Sequence, residues 1–429
     1  MKKVLVIAYY FPPMGLSGVQ RTQKFVKYLP DFGWTPVVLT VSPTTYYAYD
    51  ATLLAELDLN RIQIVRTATQ DVTKAAASVT KGSFKMQSER TRRLLSTLSQ
   101  AVFIPDNKIG WKKYLMAEAS RLIESDPDIK LIFSTAPPYT SHLAAIELRQ
   151  KYALPTVLDF RDPWVENPSH VYFTPYHRRR HEELEEKVIL AADKIIAVNR
   201  TIKELFLKKY FGRLAHSDVS IITHGYDRED FLKAKPDQRG DKKIRFVYSG
   251  VFRDDRTPKP FFLALKKILD ETPSLARTIE ARFIGLFPKE HQALAESLGL
   301  KDVVESRGYK SHAETINENL KADVLWATLG DVPQNDMITL GKLFEYVACG
   351  KTIFGILPEG ASKQFVQEAN GIVAHPKDVN EIAAKMKEII QRWESGTLPV
   401  PSADVVDRYD RRSLTHQLAK EFENLISVD

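Results

Sequence analysis

The sequence predicts an α/β protein built from two doubly wound domains that face each other across a cleft. Short apolar runs alternate with helical patterns along the 429 residues, which is typical of parallel sheets covered by helices on both faces. A chain of this length also exceeds what one hydrophobic core supports. The predicted strands cover residues 4–10, 36–40, 62–66, 131–135, 156–160, 194–198 and 219–222 in the first domain, and residues 245–249, 279–284, 303–306, 324–327, 352–356 and 371–374 in the second.

A polar stretch separates the two groups of strands. Residues 227–243 are charged, contain Pro236 and Gly240, and lack apolar periodicity, as expected of an interdomain linker. We therefore predict Rossmann-like domains over residues 1–230 and 244–405, joined by a linker over residues 231–243. A last helix over residues 406–429 is expected to pack back on the amino-terminal domain. Because ligands of such sheets bind outside the carboxyl ends of the strands, the loops after the strands should carry the chemistry.

Composition narrows the class of protein further. The net charge of +7 is modest for this length, and no stretch approaches the roughly 20 apolar residues of a membrane span. The apolar run over residues 4–11 ends in Pro12-Pro13 without a small-residue cleavage site, so we interpret it as a buried strand rather than a signal peptide. The single cysteine, Cys349, excludes an internal disulfide and fits a reducing cytoplasm, which is the predicted location.

Residues typical of metal sites or covalent catalysis are sparse. Cys349 has no second thiol to pair with, and the histidines do not cluster at ligand spacing, so neither a zinc site nor a Cys–His nucleophile is indicated. The Asp126-Pro127-Asp128 sequence has the Asp-x-Asp pattern of some metal sites, but it lies in a polar loop before a strand and is interpreted as a turn. No nucleic-acid-binding module is recognisable. We expect no metal, no cofactor and no nucleic-acid partner.

The most informative segment is a short predicted helix over residues 341–350. An apolar face and a closing glycine suited to a left-handed helix end support that prediction. Lys342 and Glu345 lie on its first turn, where free N–H groups and the helix dipole favour an anion. This predicts a phosphate site beside a carboxylate that suits ribose hydroxyls, and a Lys342–Glu345 surface ion pair is the alternative. The apolar residues and the glycine are Leu343, Phe344, Val347 and Gly350.

Two loops of the first domain also follow predicted strands. Residues 12–19 contain Gly15 and Gly18, which either allow backbone N–H groups to approach an anion or a sugar or serve an ordinary turn. Residues 159–164 contain two carboxylates and a guanidinium. These groups either bind hydroxyls or satisfy one another in an ion cluster, and the position at a strand's carboxyl end favours binding.

The loop after the first strand of the second domain is rich in cations. Residues 249–259 contain Gly250 followed by three cations, among them Arg253 and Arg256. Positive side chains at the carboxyl end of a parallel strand suit a phosphate group. We expect this loop to complete a diphosphate pocket that faces the helix of Lys342.

A basic segment lies in the first domain between residues 72 and 116. Its Lys and Arg residues outnumber its acids and alternate with apolar residues in a helical rhythm. Such a mixture docks on an anionic bilayer with about 1 kcal/mol per well-placed cation. The alternative is an amphipathic helix that packs on its own domain and exposes a solvated basic face. The bases are Lys74, Lys81, Lys85, Arg90, Arg92, Arg93, Lys108, Lys112 and Lys113.

Taken in order, these segments resemble family 4 of the retaining nucleotide-sugar glycosyltransferases, whose members have the two-domain GT-B fold. The resemblance runs along essentially the whole chain. It rests on an opening strand followed by prolines and the glycines at positions 15 and 18, and on the order of several further motifs. Those motifs are Pro105-Asp106 with Gly110-Trp111, residues 134–138, residues 159–164, residues 192–198, His224-Gly225-Tyr226-Asp227, and residues 342–346.

The resemblance assigns roles to individual residues. Glu345 is similar to the second glutamate of the family's Glu-x7-Glu motif, which binds the nucleotide ribose. Arg256 corresponds to the phosphate-binding lysine or arginine, and Gly18 to the glycine whose backbone lies against the diphosphate or acceptor. The implied nucleotide-sugar-binding residues are Gly18, Gly250, Arg253, Arg256, Thr339, Gly341, Lys342, Leu343 and Glu345, with Arg256, Lys342 and Glu345 expected to be catalytic. The implied acceptor-binding residues are Gly15, Gly18, Arg21, Arg161, Asp162 and Trp164.

Three positions depart from the family pattern. Met337 stands where the first glutamate of the motif is expected, and Val251 stands where an arginine usually follows the strand glycine. Arg161 replaces the usual histidine of the amino-terminal loop. Arg253 is therefore the candidate for the phosphate contact that is lost at Val251.

The resemblance implies a reaction and its partners. A sugar would pass from a nucleotide diphosphate to a glycan or polyprenyl-linked acceptor, with retention at the anomeric carbon and without an obligatory metal, in surface polysaccharide synthesis. The basic segment would bring the acceptor side to an anionic membrane. Two alternatives stay open: a non-catalytic partner subunit that binds a nucleotide or glycan, and a hydrolase or epimerase that acts on the nucleotide sugar alone.

Overall fold

The chain forms two compact units, each with its own sheet. The computed structural model describes residues 2–15, 17–43, 49–70, 99–100, 102–167, 170–234, 240, 242–252 and 255–427. The first unit comprises Met1–His224 and Arg411–Asp429, and the second comprises Gly225–Asp410.

The boundaries between these two units lie a few residues from the domain boundaries that we predicted from the sequence, at 230/231 and 405/406. Two features place the connecting segments in the second unit. The stretch after Asp227, expected to lack regular structure, begins with the helix Arg228–Leu232, and Asp227 caps it by accepting a hydrogen bond from the N–H of Glu229. The N–H of Tyr226 donates to the carbonyl of Tyr409 over 3.0 Å and joins the two crossing segments there.

The first unit contains seven parallel strands in the order β3-β2-β1-β4-β5-β6-β7. Strand β1 pairs with both β2 and β4, so the sheet is wound in two directions from β1. The strands β1 to β7 are Lys2–Ile7, Trp34–Val41, Gln63–Thr67, Ile129–Ala136, Thr156–Phe160, Lys194–Ala197 and Val219–Ile221. The α-helices among the described residues of this unit include Ser17–Tyr28, Thr52–Ala55, Lys112–Ser125, Thr140–Tyr152, Pro175–Ala191, Arg200–Lys209 and Arg411–Ile426.

The second unit contains six parallel strands in the order β10-β9-β8-β11-β12-β13. Here β8 pairs with β9 on one side and β11 on the other, so the winding reverses between β8 and β11. The strands β8 to β13 are Ile244–Ser249, Ile279–Ile284, Val304–Ser306, Val324–Thr328, Thr352–Ile356 and Ile372–Ala374. The α-helices among its described residues include Arg228–Leu232, Lys259–Glu271, Lys289–Ser297, His312–Leu320, Lys342–Ala348, Ala361–Glu368, Val379–Glu394 and Ala403–Arg408.

Every predicted strand overlaps an observed one, which confirms the doubly wound α/β class of both units. The largest difference is in β1, which begins at Lys2 and ends at Ile7 rather than Tyr10. Beyond Ile7 the chain leaves the strand, and the Tyr9 ring there meets the Trp111 ring edge-on at 5.3 Å.

The carboxyl-terminal helix contributes to the core of the first unit. Helix Arg411–Ile426 buries Leu418 and Phe422 in one apolar cluster with Val4 and Phe133 of the central strands. The rings of Trp34 and Phe422 lie 5.3 Å apart in an edge-on arrangement. The last helix therefore packs against the sheet of the first unit.

Most of the basic segment lies outside the described residues, including Lys74, Lys81, Lys85, Arg90, Arg92 and Arg93. At its described end, Lys108 is buried with its ammonium 5.1 Å from the Tyr9 ring. Lys112 forms an ion pair with Glu147 at 2.5 Å, so these two bases contact their own unit. In the part of the chain that the structure describes, no helix is both long and apolar enough to cross a membrane.

The Asp126-Pro127-Asp128 sequence forms a turn beside the first strand. The Asp126 carboxylate accepts a hydrogen bond from the N–H of Asp128 over 3.1 Å and pairs with Lys3 at 2.6 Å. Local hydrogen bonding of this kind is what an Asx turn provides, in agreement with the interpretation of this sequence.

Candidate functional site

The second unit brings its polar residues together where the winding of the sheet reverses. Strands β8 and β11 are adjacent in the sheet but lead into helices on different sides, and ligands of doubly wound sheets bind at such a switch point. The loop after β8 contains Gly250 and Arg256, and the loop after β11 leads into helix Lys342–Ala348. The sequence-predicted diphosphate residues of this unit therefore share one edge of the sheet.

The helix of Lys342 has the form that the sequence predicted. Its apolar residues are buried, and Gly350 follows it with φ +61°, which is the left-handed conformation of a helix end. Tyr346 fixes this helix to the end of β8, because its hydroxyl accepts hydrogen bonds from the N–H of Ser249 over 2.9 Å and from the Ser249 hydroxyl over 3.2 Å. The buried apolar residues are Leu343, Phe344 and Val347.

The ammonium of Lys342 has an unusual electrostatic environment. Its Nζ atom is buried without a hydrogen-bond partner among the described residues, and it lies 3.5 Å from the centre of the Tyr248 ring. Burial, and after it the positive charge of Arg256, lower the pKa of Lys342 well below its ordinary value, while Glu345 acts to raise it. A buried cation without a hydrogen-bonded anion is a group whose interactions are incomplete.

Glycine is required at position 250 by the approach of Lys342. A Cβ atom built on Gly250 would lie 2.8 Å from Lys342 Nζ, and the residue has φ +130°, which side chains rarely adopt. The residue that ends β8 therefore leaves room for the ammonium. Arg256 is half-buried and lies close enough to affect the pKa of Lys342. Arg253, the first of the three predicted cations of this loop, lies outside the described residues.

Glu345 forms a hydrogen bond with a histidine rather than with Lys342. Its Oε1 atom lies 3.0 Å from His312 Nε2, and 15% of its side chain is exposed. Because Lys342 Nζ has no hydrogen-bond partner among the described residues, the alternative of a Lys342–Glu345 surface pair is wrong in this structure. Both side chains instead lie beside the same switch point.

A second set of hydrogen bonds joins the loops after β8 and β11. The Asp255 carboxylate accepts from the N–H of Gly330 and from the side-chain amide of Asn335, both over 2.7 Å. A Cβ atom on Gly330 would lie 2.7 Å from that of Asp255, so only glycine allows this approach. The loop of Arg256 is thus attached directly to the loop that precedes Lys342.

The segment before the helix of Lys342 is ordered by Ser362. The Ser362 hydroxyl donates to the carbonyl of Ile338 over 2.6 Å and accepts from the N–H of Leu340 over 3.1 Å. These contacts fix the backbone on both sides of Thr339, which is half-buried, and Gly341 is exposed at the start of the helix. Met337, at the position of the expected first glutamate, is 7% exposed and belongs to the interior.

In the first unit, Arg21 is a buried structural residue. Its side chain is 1% exposed and forms an ion pair with Asp159 at 2.7 Å. Two further N–H groups donate to the carbonyls of Ile222 and Thr223 over 2.9 and 2.6 Å. The predicted contact of Arg21 with an acceptor is therefore not available in this structure, because its donors are directed into the protein.

Arg161 joins the two loops at the switch point of the first sheet. Its guanidinium donates to the carbonyls of Ala136, Pro137 and Gly18, and burial lowers its pKa. A Cβ atom on Gly18 would lie 3.2 Å from Arg161 Nη1, so glycine suits this close approach. Arg161 and Gly18, both predicted from the sequence, thus lie together, with Arg161 supporting the backbone of the Gly18 loop.

The other predicted acceptor residues have different environments. Trp164 is fully buried, stacks on the Tyr139 ring at 4.5 Å and donates to His181 Nδ1 over 3.0 Å. It is therefore a core residue and is out of reach of an acceptor. Asp162 is half-buried and Gly15 is buried.

Asp106 and Trp111, which belong to one of the motifs that carry the resemblance, have structural roles. Asp106 caps helix Thr140–Tyr152, since its carboxylate accepts from the N–H of Thr140 over 3.0 Å and from the Thr140 hydroxyl over 2.8 Å. Trp111 is fully buried and donates to the Thr67 hydroxyl over 2.7 Å. These contacts help to hold the first unit together.

The sequence reasoning missed His312, Tyr248 and Asp255. Ser311 and Glu314 form a capping box that fixes the start of helix His312–Leu320, and the Ser-x-x-Glu pattern does signal that start. However, no local pattern shows that His312 faces Glu345, 33 residues away in the chain. Such contacts depend on how separate βα units are placed in the sheet.

One protein-family model matches the second unit. Residues 230–397 match the family model described as Glycosyl transferases group 1. The match covers the strands and loops that contain Gly250, Arg256, Lys342 and Glu345, so the matched residues include the whole candidate site. No curated protein matches this sequence.

Solved structures with the same fold extend over the entire chain. Sucrose-phosphate synthase from Thermosynechococcus elongatus is 14% identical with a TM-score of 0.67, and the alignment covers 100% of both chains. HepE from Anabaena, in complex with UDP and glucose, is 15% identical with a TM-score of 0.66 over 99% of this chain and 100% of that one. An enzyme described as a putative UDP-N-acetylglucosamine 2-epimerase from Listeria monocytogenes is 11% identical with a TM-score of 0.59, covering 100% and 98%.

These similarities confirm the predicted GT-B fold class. At such low identity they show the fold alone, and the same fold occurs in a synthase and in a described epimerase. The fold therefore does not determine the reaction of this chain, which depends on the residues of its own site.

Proposed function

We propose that this protein is a glycosyltransferase that uses a nucleotide-diphosphate sugar as donor. The observation that carries the proposal is the buried ammonium of Lys342, which lacks a hydrogen-bond partner among the described residues and lies near the second cation, Arg256. A diphosphate would complete the interactions of both groups. The group 1 domain match and the UDP bound to the similarly folded HepE support this ligand.

The two cations suit the charge that develops in the reaction. As the bond between the sugar and the diphosphate breaks, negative charge accumulates on the leaving phosphate oxygens. Lys342 and Arg256 are fixed donors beside the carboxyl end of β8, and preorganised donors of this kind stabilise a developing anion without reorganising. Tyr346 and Asp255 hold the two supporting elements in place.

Glu345 is proposed to bind the ribose of the donor. Its carboxylate lies on the same helix as Lys342, one turn further along, and a carboxylate accepts strongly from hydroxyl donors. A ribose attached to the diphosphate would present two neighbouring hydroxyls to this carboxylate. Gly250, Thr339, Gly341 and Leu343 would contribute backbone contacts around the same ligand.

The finer details of the reaction follow from the resemblance to family 4. We propose retention at the anomeric carbon, with the acceptor attacking from the face that the diphosphate leaves and the leaving phosphate taking the acceptor's proton. Arg256 and Lys342 would supply the positive charge, so an obligatory metal is not part of the proposal. The resemblance also supports a glycan or polyprenyl-linked acceptor in surface polysaccharide synthesis, bound by the first unit near Gly18 and Asp162.

The basic segment between residues 72 and 116 supports a membrane contact for that unit. An acceptor on a polyprenyl carrier stays at a bilayer surface, and cations mixed with apolar residues bind anionic lipid. We therefore propose peripheral association through this segment, most of which lies outside the described residues.

One experiment tests the function against its alternatives. The purified protein is given candidate nucleotide sugars with and without a glycan or lipid-linked acceptor, and release of the nucleoside diphosphate is measured. A transferase releases nucleotide faster when the acceptor is present. Equal release without acceptor indicates a hydrolase, conversion of the sugar without release indicates an epimerase, and binding without turnover indicates a non-catalytic subunit.

A further inference from the structure

His312 lies between two carboxylates of the second unit. Its Nε2 atom is 3.0 Å from Glu345 Oε1, and its Nδ1 atom is 3.8 Å from Asp230 Oδ2. Between 9% and 15% of each of the three side chains is exposed. Because an ionised carboxylate only accepts hydrogen bonds, the hydrogen between His312 and Glu345 belongs to Nε2, which assigns the tautomer by inference.

The position of His312 is fixed independently of Glu345. His312 is the first residue of helix His312–Leu320, and the residue before it, Ser311, takes part in a capping box. Glu314 accepts a hydrogen bond from the N–H of Ser311 over 3.0 Å, and its own N–H donates to the Ser311 hydroxyl over 3.4 Å. The imidazole is therefore presented to Glu345 by a helix start with its own hydrogen bonds.

We propose that His312 is a positioning residue that holds the Glu345 carboxylate in place for the ribose hydroxyls of a nucleoside diphosphate. This inference rests on the proposed function of the site. Its physical reason is that Glu345 is one helical turn from Lys342, where a free carboxylate would repel the diphosphate that Lys342 binds. A hydrogen bond from His312 withdraws part of that negative charge.

The hydrogen bond from His312 does not prevent Glu345 from binding a sugar. A carboxylate has about four lone-pair positions on its two oxygens, so it accepts from His312 and from ligand hydroxyls at the same time. Fixing the carboxylate before the ligand arrives also reduces the ordering that binding requires. His312 therefore acts through Glu345 and does not itself touch the ligand.

The test compares nucleotides with and without ribose hydroxyls. UDP, GDP and ADP are titrated calorimetrically into the full-length protein, and each that binds is compared with its 2′,3′-dideoxy form. His312→Leu should weaken binding of the ribonucleotide about five-fold or more and binding of the dideoxy form less than about two-fold. His312→Gln, which keeps an N–H donor, should restore most of the affinity.

Glu314→Ala is the matched control because it disturbs the same helix start without removing the imidazole. If Glu314→Ala reproduces the selective loss, or if His312→Leu weakens both forms equally, His312 is only a structural residue and the inference is overturned. If His312→Leu does not fold, His312→Asn, whose shorter amide falls short of Glu345, gives the same comparison. Wild-type protein that binds none of the three nucleotides refutes the proposed function itself, which separates the two failures.

Discussion

The Nζ atom of Lys342 lies 3.5 Å from the centre of the Tyr248 ring and is buried without a hydrogen-bond partner in the described part of the chain. The aromatic ring offers its electron-rich face, but it does not replace an anion. A cation held in this way costs free energy in the ligand-free protein, and that free energy is recovered when an anion binds. Lys342 is therefore expected to lower the stability of the ligand-free protein and to increase the rate of sugar transfer.

Substitution of Lys342 by methionine should separate these two effects. An unbranched apolar side chain fills the same space without a charge, so the ligand-free protein should be more stable by about 0.5–2 kcal/mol. The value of kcat/KM for sugar transfer should fall by roughly 10²-fold or more, because one preorganised donor to the leaving diphosphate is lost. Denaturant unfolding and initial-rate kinetics measure the two quantities.

Arg256→Ala is the matched variant for this comparison. It should lower kcat/KM to a similar extent, but it should not stabilise the protein, because Arg256 is half-buried and remains hydrated. Near-wild-type rates in both variants would contradict the assignment of the diphosphate to this pair.

The pH dependence of donor binding should report on Lys342. Burial and Arg256 hold the pKa of Lys342 well below its ordinary value in the empty site, and a bound diphosphate raises that pKa because it favours the charged form. Binding therefore takes up a proton. Affinity should be constant below the lower pKa, fall by up to about ten-fold per pH unit between the two pKa values, and level off above the higher one.

Calorimetry in buffers of different ionisation enthalpy measures this proton uptake directly. Arg256 and Glu345 also face the ammonium, so the assignment needs a variant that removes only Lys342. In Lys342→Met both the proton uptake and the slope should disappear. Proton uptake that persists in this variant would assign the linkage to another group.

The alternation of strands and helices was predictable because each βα unit carries its own local signal. The helix of Lys342 and its closing glycine could also be read from the sequence, since the apolar spacing and Gly350 are local features. What local patterns could not show is the direction of a polar side chain. Arg21 lies in the helix that follows one candidate ligand-binding loop, and Trp164 lies in another such loop, yet both side chains are held in the interior by Asp159 and Tyr139.

The contacts that complete the site depend on distant parts of the chain. His312 reaches Glu345 across 33 positions, and Asp255 reaches Asn335 across 80. Such pairs can be predicted only when the order of the strands in the sheet is known, because adjacent strands need not be consecutive in sequence. A single sequence specifies each helix and strand locally but not these neighbours.

Glu345→Ala should weaken binding of the donor without unfolding the second unit. A hydrogen bond between a carboxylate and ligand hydroxyls is worth about 1.5–3 kcal/mol, so affinity should fall about ten-fold or more. Calorimetric titration of the nucleotide sugar measures the change, and circular dichroism checks the fold. Unchanged affinity in a folded variant would mean that Glu345 does not bind the donor.

Association with anionic vesicles should depend on the basic segment. Changing Arg90, Arg92 and Arg93 together to glutamine should release the protein from vesicles that contain phosphatidylserine, while donor affinity stays the same. Wild-type binding should weaken steeply with added salt, because the surface potential decays within a Debye length of about 8 Å at physiological ionic strength. If the wild-type protein does not bind these vesicles even at low salt, the membrane proposal fails.

The buried pair of Arg21 and Asp159 should act on stability rather than on donor binding. Asp159→Leu leaves the Arg21 guanidinium buried without its counter-charge, which should destabilise the first unit by about 3–5 kcal/mol. Replacing both residues, as Arg21→Met with Asp159→Leu, removes the uncompensated charge and should restore much of the loss. Denaturant unfolding followed by tryptophan fluorescence measures both changes, since Trp34, Trp111 and Trp164 are buried in this unit. Donor affinity at the second unit should remain at the wild-type value in any folded variant. A single substitution that lowers donor affinity but leaves the unfolding midpoint unchanged would show instead that this pair contacts the ligand.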